Sequence, residues 1–306
     1  MTSPPLKYYL LLLLAMVFWG GSWVSGKLVV AIAPPLTVGF FRFLIASLLF
    51  IPVFLASKRG AAWNYTKRDI GLFFLLGLTG IFGYGIFFLV GMRFTTAAQG
   101  SIIAGINPAS VSLWAHLVHK ETLARRWRYS GFVISFLGII FVIGVQALIE
   151  FRPDYLFGNG LIVCAVIIWG LYSMLGKTSM RTQSSLDATT GGVLLGTALF
   201  GAGAVCEQFW AQPALIDPYF WVNVVYMGIF VTFLGFLFYF LGIKHLGATK
   251  SSIFINLVPV FGTLFSVIIL AETIYWTFLV GLGLVIAGVV IINFPEPSKD
   301  EEDPPE

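Results

Sequence analysis

One ionisable side chain, Arg42, lies well inside an apolar run of this 306-residue chain. Burying an arginine in a bilayer costs at least about 2.5–3.5 kcal/mol on insertion scales, so its guanidinium should face protein or water. Two uses fit. The planar fork could take a substrate carboxylate through two parallel hydrogen bonds. The side chain could instead snorkel to the nearer interface and hold a loop carbonyl. Two amides stand at similar depth: Asn107, just before Pro108, and Asn256, one turn before Pro259. Either could bond a substrate or satisfy a kinked backbone. Trp19, Trp169, Tyr172, Tyr84 and Tyr239 also fall in mid-run. Tryptophan and tyrosine normally gather at membrane interfaces, and Trp19, about 11 residues into its run, is too deep for that belt. Beside Gly20 and Gly21 it could wall a cavity for a flat or apolar substrate, with its N–H as polar handle, or simply pack helices.

Other chemistry is missing from the sequence. There is no Gly-x-Ser-x-Gly, no His-Glu-x-x-His and no phosphate loop, so an enzyme is not expected, nor a metal or cofactor. No carboxylate pair lies at membrane depth, which argues against a sodium site or a pump-type proton relay. Cys164 and Cys206 sit in apolar runs and read as small packing residues. The charge of +4 is scattered through short loops, so no nucleic-acid partner is implied. Hydrophobic residues make up 58% of the chain and charged residues 10%, against about 25% charged in a soluble domain. Lipid must be the solvent over most of the surface.

The elements that must hold these residues are therefore membrane spans of about 20 apolar residues each. Ten are predicted, near 8–29, 35–56, 70–92, 97–118, 128–149, 157–179, 187–208, 220–243, 248–270 and 275–294. The runs are continuous, unlike the alternating segments of a β-barrel. With the N-terminus inside, fourteen Lys and Arg fall on the inner side and three on the outer. The positive-inside rule then puts both termini in the cytoplasm of a multi-pass inner-membrane protein. The acidic, Pro-rich tail 295–306 is expected to be disordered.

The two proline-bearing spans match. "GINPASVSLWAHLVHKET" (105–122) pairs with "NLVPVFGTLFSVIILAET" (256–273), with Pro108 on Pro259 and Glu121-Thr122 on Glu272-Thr273 at an offset of 151. Gly77 pairs with Gly228, Gly91 with Gly242 and Ser101 with Ser252 in the same register, and "WGGSWVSGK" (19–27) with "WGLYSMLGK" (169–177) at 150. One register held across the chain indicates a duplication, as repeats 8–149 and 157–294. Five spans per half is an odd number, so the second half enters from the opposite side and the repeats are inverted. Secondary transporters recur in this build, with the substrate site near the midplane between repeats. Pro108 and Pro259 then fall near mid-membrane as symmetric hinge candidates lining a cavity. Glu121 and Glu272 lie 13 residues further on, about 20 Å along a helix. They are gate candidates that pair with Lys or Arg, or plain helix ends paired locally.

The chain resembles the drug/metabolite transporter superfamily, specifically its EamA-type members. The likeness is carried by "FWGGSW" of span 1, "FFRF" of span 2, the A…S…P…E pattern of spans 4 and 9, and the five-plus-five duplication, over residues 8–294. It implies a ten-helix carrier working by alternating access, with its cavity between the halves. Such carriers commonly export amino acids or other small metabolites. Where the first half has Arg42 the second has Gly192, so no symmetric charge site is expected. The expected partners are a small-molecule substrate and the lipid bilayer, in a monomer or homodimer. A drug or lipid flippase is the alternative, and a membrane sensor or scaffold a weaker one.

Overall fold

The computed structural model describes residues 6–58, 64–119, 130–150, 153–246, 251 and 254–292. Glu121 and the tail 295–306 lie outside them. Among the described residues the chain is helical, with no strand. The helices are α1 Leu6–Val30, α2 Pro35–Ser57, α3 Lys67–Phe94, α4 Ala97–Ala104, α5 Asn107–His119 and α6 Ser130–Glu150, followed by α7 Pro153–Ser179, α8 Ser185–Cys206, α9 Pro218–Leu246, α10 Leu257–Leu270 and α11 Trp276–Ile292. Six of these, α1, α2, α3, α7, α8 and α9, are long and apolar enough to cross a membrane unaided.

Spans 4 and 9 depart from the continuous helices expected. Span 4 breaks at Gly105-Ile106, where Gly105 N–H bonds Ile102 O and Ile106 N–H bonds Ile103 O, both one residue short of α-helical reach. Pro108 then opens α5. In a first turn a proline's missing N–H leaves no bond unmade, and its fixed φ suits the helix. Span 9 has turn residues at Ile255-Asn256, and Pro259 likewise stands in the first turn of α10. Pro108 thus begins a second half-helix rather than bending a whole one, and Pro259 stands near the start of α10. The two breaks touch: a Cβ at Gly105 would lie 3.3 Å from Pro259 Cγ.

Spans 3 and 8 carry a second irregularity that the hydropathy pattern does not show. Gly77–Gly83 within α3 and Met227–Leu234 within α9 are wound as π-helix. Each π turn shifts the hydrogen-bond ladder by one residue and turns carbonyls toward neighbours; such bulges cluster at functional sites.

Packing follows the sequence register. α2 lies on α8 and α6 on α11, while α3 packs on α7 as α9 packs on α1. Positions one repeat length apart meet across these contacts: Ser47 Oγ lies 2.9 Å from Thr197 Oγ1. α1 is central, with Gly20, Gly21, Ser22, Ser25 and Gly26 buried against its neighbours. Broad apolar faces remain outside, including Phe136 on α6, Ile268 on α10 and Leu279 on α11. Cys164 and Cys206 are exposed too, not part of the packing as their apolar setting suggested.

The molecule has two ends. The terminal face carries Leu6 and the α7–α8 turn at Met180; the far face carries the α1–α2 turn, the start of α4 and the end of α10.

Candidate functional site

A cavity of about 390 Å³ lies between the helices, and every long span except α6 and α11 contributes to its wall. It reaches the terminal face, where Met180 on its rim is 47% exposed, and Ser185, Ile243 and Ile255 line the mouth. At the far end Trp23 and Phe88, both buried, meet edge to face with centroids 4.9 Å apart and form the floor.

Seven of the expected cavity residues surround this space: Trp19, Arg42, Tyr84, Asn107, Trp169, Tyr172 and Tyr239, with Pro108 beside them. Asn256 does not line it; it heads α10, while its neighbours Ile255 and Val258 supply the wall. Pro259 is buried behind the wall.

Arg42 does not snorkel. Its side chain is buried, only 7% exposed, and it lines the cavity. Nε donates to Thr232 Oγ1 at 3.2 Å. Thr232 donates in turn to Met227 O at 2.9 Å, a bond across the π turn of α9. The guanidinium carbon stands 4.8 Å from the centre of the Phe43 ring. Among the described residues no carboxylate lies within ion-pair distance of Arg42, and its two terminal nitrogens have no protein acceptor. The backbone here needs a close approach by α9: a Cβ at Gly228 would lie 2.9 Å from Arg42 O. Glycine at 228 lets the π turn bring Thr232 to Arg42.

An unbroken aromatic wall runs from beside Arg42 toward the terminal mouth. Tyr84 contacts Trp169 with centroids 5.1 Å apart, and Trp169 contacts Phe236 at 6.4 Å. Phe236 contacts Trp19 at 5.8 Å, and Trp19 contacts Tyr239 at 5.3 Å. Trp19 is fixed by its indole N–H, which donates to Val231 O at 3.0 Å, a carbonyl of the π turn. The polar groups on this wall are mostly neutral. Ser22, Ser112 and Ser173 donate back to carbonyls of their own helices, which leaves their oxygens as acceptors. Asn107 Oδ1 is buried without a hydrogen-bond partner.

The far face carries contacts that the sequence does not announce. Glu272 does not pair with a neighbouring base. Its carboxylate accepts from Ala97 N–H at 2.8 Å and Ala98 N–H at 2.9 Å, capping α4. The left-handed backbone at Ala271, φ 52°, turns the chain so that Glu272 can reach there. Glu207, past α8, makes the matching contact with Leu36 N–H and Thr37 N–H at 3.2 and 2.7 Å. Free N–H groups at a helix start carry partial positive charge, which suits a carboxylate. Lys27 donates to Met92 O and Thr95 O at 3.0 and 2.6 Å, closing the C-terminal end of α3. On the terminal face Lys58 pairs with Asp187 at 2.9 Å. That bond raises the Lys58 ammonium above its ordinary range.

A cavity walled by both halves of an all-helical apolar chain is what a carrier requires. The profile of the EamA-like transporter family matches residues 6–144 and again 156–294. The chain belongs to the EamA-like transporter family. It is thus a multi-pass membrane transporter of the drug/metabolite transporter superfamily. It is 27% identical to the uncharacterized transporter YyaM of Bacillus subtilis, over 97% of this chain and 98% of that one. It is 29% identical to YetK of the same organism, over 92% and 86%. An uncharacterized transporter of Archaeoglobus fulgidus shares 27%, over 93% and 96%. A solved crystal structure superposes with a TM-score of 0.65 over 94% of this chain and 96% of that one, at 20% identity, a likeness of fold.

Sequence reasoning missed Thr232, Phe236, the Trp23–Phe88 floor and both π turns. The available signal was the close glycine spacing of "GLTGIFGYG" (77–85) and its relative "GIFVTFLG" (228–235).

Proposed function

We propose that this EamA-family transporter is a secondary carrier that exports small metabolites, amino acids or related compounds, by alternating access across a cell's inner membrane. The carrier has ten spans in two inverted five-helix repeats, 8–149 and 157–294, with both termini cytoplasmic. It works as a monomer or homodimer. The observation that supports this reading is the cavity itself: both halves build it, it reaches one face, and aromatic packing shuts it off from the other. A binding site accessible from one side at a time is the requirement for exchange across a barrier without a channel. Arg42 binds the substrate carboxylate, and Trp19, Trp169 and Tyr239 hold its body. The half-helix starts at Pro108 and Pro259 absorb the rocking motion. Glu272 latches the closed far end, and Glu121, on the opposite side of the membrane, is the gate candidate of the open one.

The test is counterflow in liposomes with a panel of labelled amino acids and their relatives, with and without a pH gradient. Saturable flux of one class, lowered at least tenfold by Asn107→Ala or Trp19→Ala, is the expected result. Movement of labelled lipid with no solute counterflow would replace this reading with a flippase.

A further inference from the structure

We infer that the cavity selects organic monoanions with a flat or apolar body and discriminates against molecules that carry a free ammonium group. This rests on the carrier reading above and names the substrate class of that same site.

Three observations lead here. First, Arg42 is the sole charged residue on the wall among the described residues, and no Asp or Glu lines the cavity. Second, that charge is buried without a countercharge. Only Nε is bonded, to a neutral hydroxyl, so four of its five N–H bonds are left for a ligand. An isolated buried cation is costly, and a bound anion removes that cost while an ammonium adds to it. Third, the other polar groups that face the space are neutral. The hydroxyls of Tyr84, Tyr172 and Tyr239 line it and have no hydrogen-bond partner among the described residues. They can donate to an anion without a change of protonation. Tyr84 and Arg42 line the same cavity, so a phenol and a guanidinium face one space.

The rest of the ligand is set by size and surface. A cavity of about 390 Å³ is at the small end of ligand pockets. Its aromatic wall suits one ring or a short branched chain. A carboxylate can take two parallel hydrogen bonds from the Arg fork. Within amino acids and related compounds, the favoured members are therefore those whose amine is absent or acylated, such as 2-oxo acids and aryl carboxylic acids. The ammonium of a free amino acid would enter the same small, low-dielectric space as Arg42, where the described residues offer it neutral acceptors, Asn107 Oδ1 and the serine oxygens, but no carboxylate. Such like-charge crowding is poorly screened away from water.

The experiment compares three molecules with one ring and different charge: phenylpyruvate, phenylalanine and phenethylamine. Each is titrated against the purified full-length protein in detergent, read by isothermal calorimetry and by tryptophan fluorescence. Phenylpyruvate should bind at least tenfold more tightly than phenylalanine, and phenethylamine should not bind. Arg42→Gln should remove the preference. Should that variant fail to fold, Tyr84→Phe takes its place and should weaken phenylpyruvate several-fold more than phenylalanine. Equal or tighter binding of phenylalanine, binding of phenethylamine, or no binding of any of the three overturns the inference. None of those results touches the carrier reading, which stands or falls on counterflow. Binding of phenylpyruvate with no counterflow of any solute would sink the carrier reading and leave the ligand class in place.

Discussion

At the far face, links between distant parts of the chain surround the closed end of the cavity. Glu272 reaches α4, Glu207 reaches α2, Lys27 closes α3, and Asn159 of α7 donates to Gln99 of α4 at 2.7 Å. At the terminal face the links are of other kinds, among them a ring stack of Tyr8 on His245 with centroids 3.9 Å apart. Lys58 meets Asp187, and Thr182 donates to Asp69 at 2.9 Å, so α2 and α3 are tied to the α7–α8 turn. The far face uses carboxylates on helix N–H groups, and these contacts serve twice. A helix start has unsatisfied donors wherever it stands. When the acid that satisfies them comes from another helix, the cap is also a clasp. In the proposed cycle water can replace it as the face opens, so it can part without unfolding either helix.

The sharpest way to break this comparison is to cut the clasp. Hydrogen bonds to a charged group contribute about 1.5–3 kcal/mol each, and a shift of about 1.4 kcal/mol changes an equilibrium tenfold. Glu272→Ala should therefore raise exposure of the far side at least tenfold. The measurement is the labelling rate, by an impermeant maleimide, of a cysteine at the buried Ser101, in a background with Cys164 and Cys206 replaced by alanine. An unchanged rate would mean that Glu272 caps α4 without holding the face shut. A middle-sized effect is expected at the π turn of α3. A Cβ at Gly80 would run into the Tyr172 ring. Gly80→Ala should lower the midpoint of thermal unfolding, consistent with overpacking of about 1–3 kcal/mol, and weaken ligand binding. Adding Tyr172→Leu should restore the midpoint but not the binding. The smallest effect belongs to the terminal face. Lys58 is 19% exposed but its partner Asp187 only 3%, which puts the pair at the upper end of the about 0–1 kcal/mol that surface ion pairs contribute. Lys58→Ala should lower the midpoint only slightly. Asp187 also caps the start of α8, so Asp187→Ala should cost about 1 kcal/mol more, as a lost cap does.

Much of the site was legible because polar and aromatic residues stand out against an apolar background. Arg42, Asn107, Trp19 and the three tyrosines were conspicuous at mid-span, and the structure gathers them around one space. What stayed hidden has physical reasons. The π turns change which carbonyl each N–H bonds, and no residue type marks that shift; glycines at 77, 80 and 83 only permit it. Glu272 was visible as an acid at a helix end, yet its partners are backbone N–H groups, which almost every residue has. Asn256 and Pro259 matched Asn107 and Pro108 in type but not in place, because the cavity is asymmetric. Arg42 answers to Gly192 in the second half, so the two halves contribute different chemistry to it.

The lone charge at Arg42 has an electrical consequence. In the proposed cycle, when the closed end passes from one face to the other, the guanidinium need not travel; the insulating layer moves past it. An empty carrier thereby displaces positive charge through the membrane field, a cost of up to about 2.3 kcal/mol per charge at 100 mV. A carrier whose arginine is neutralised by a bound carboxylate displaces almost none. Voltage then acts on the unloaded half of the cycle and spares the loaded half, so it sets the pace of return rather than the strength of binding.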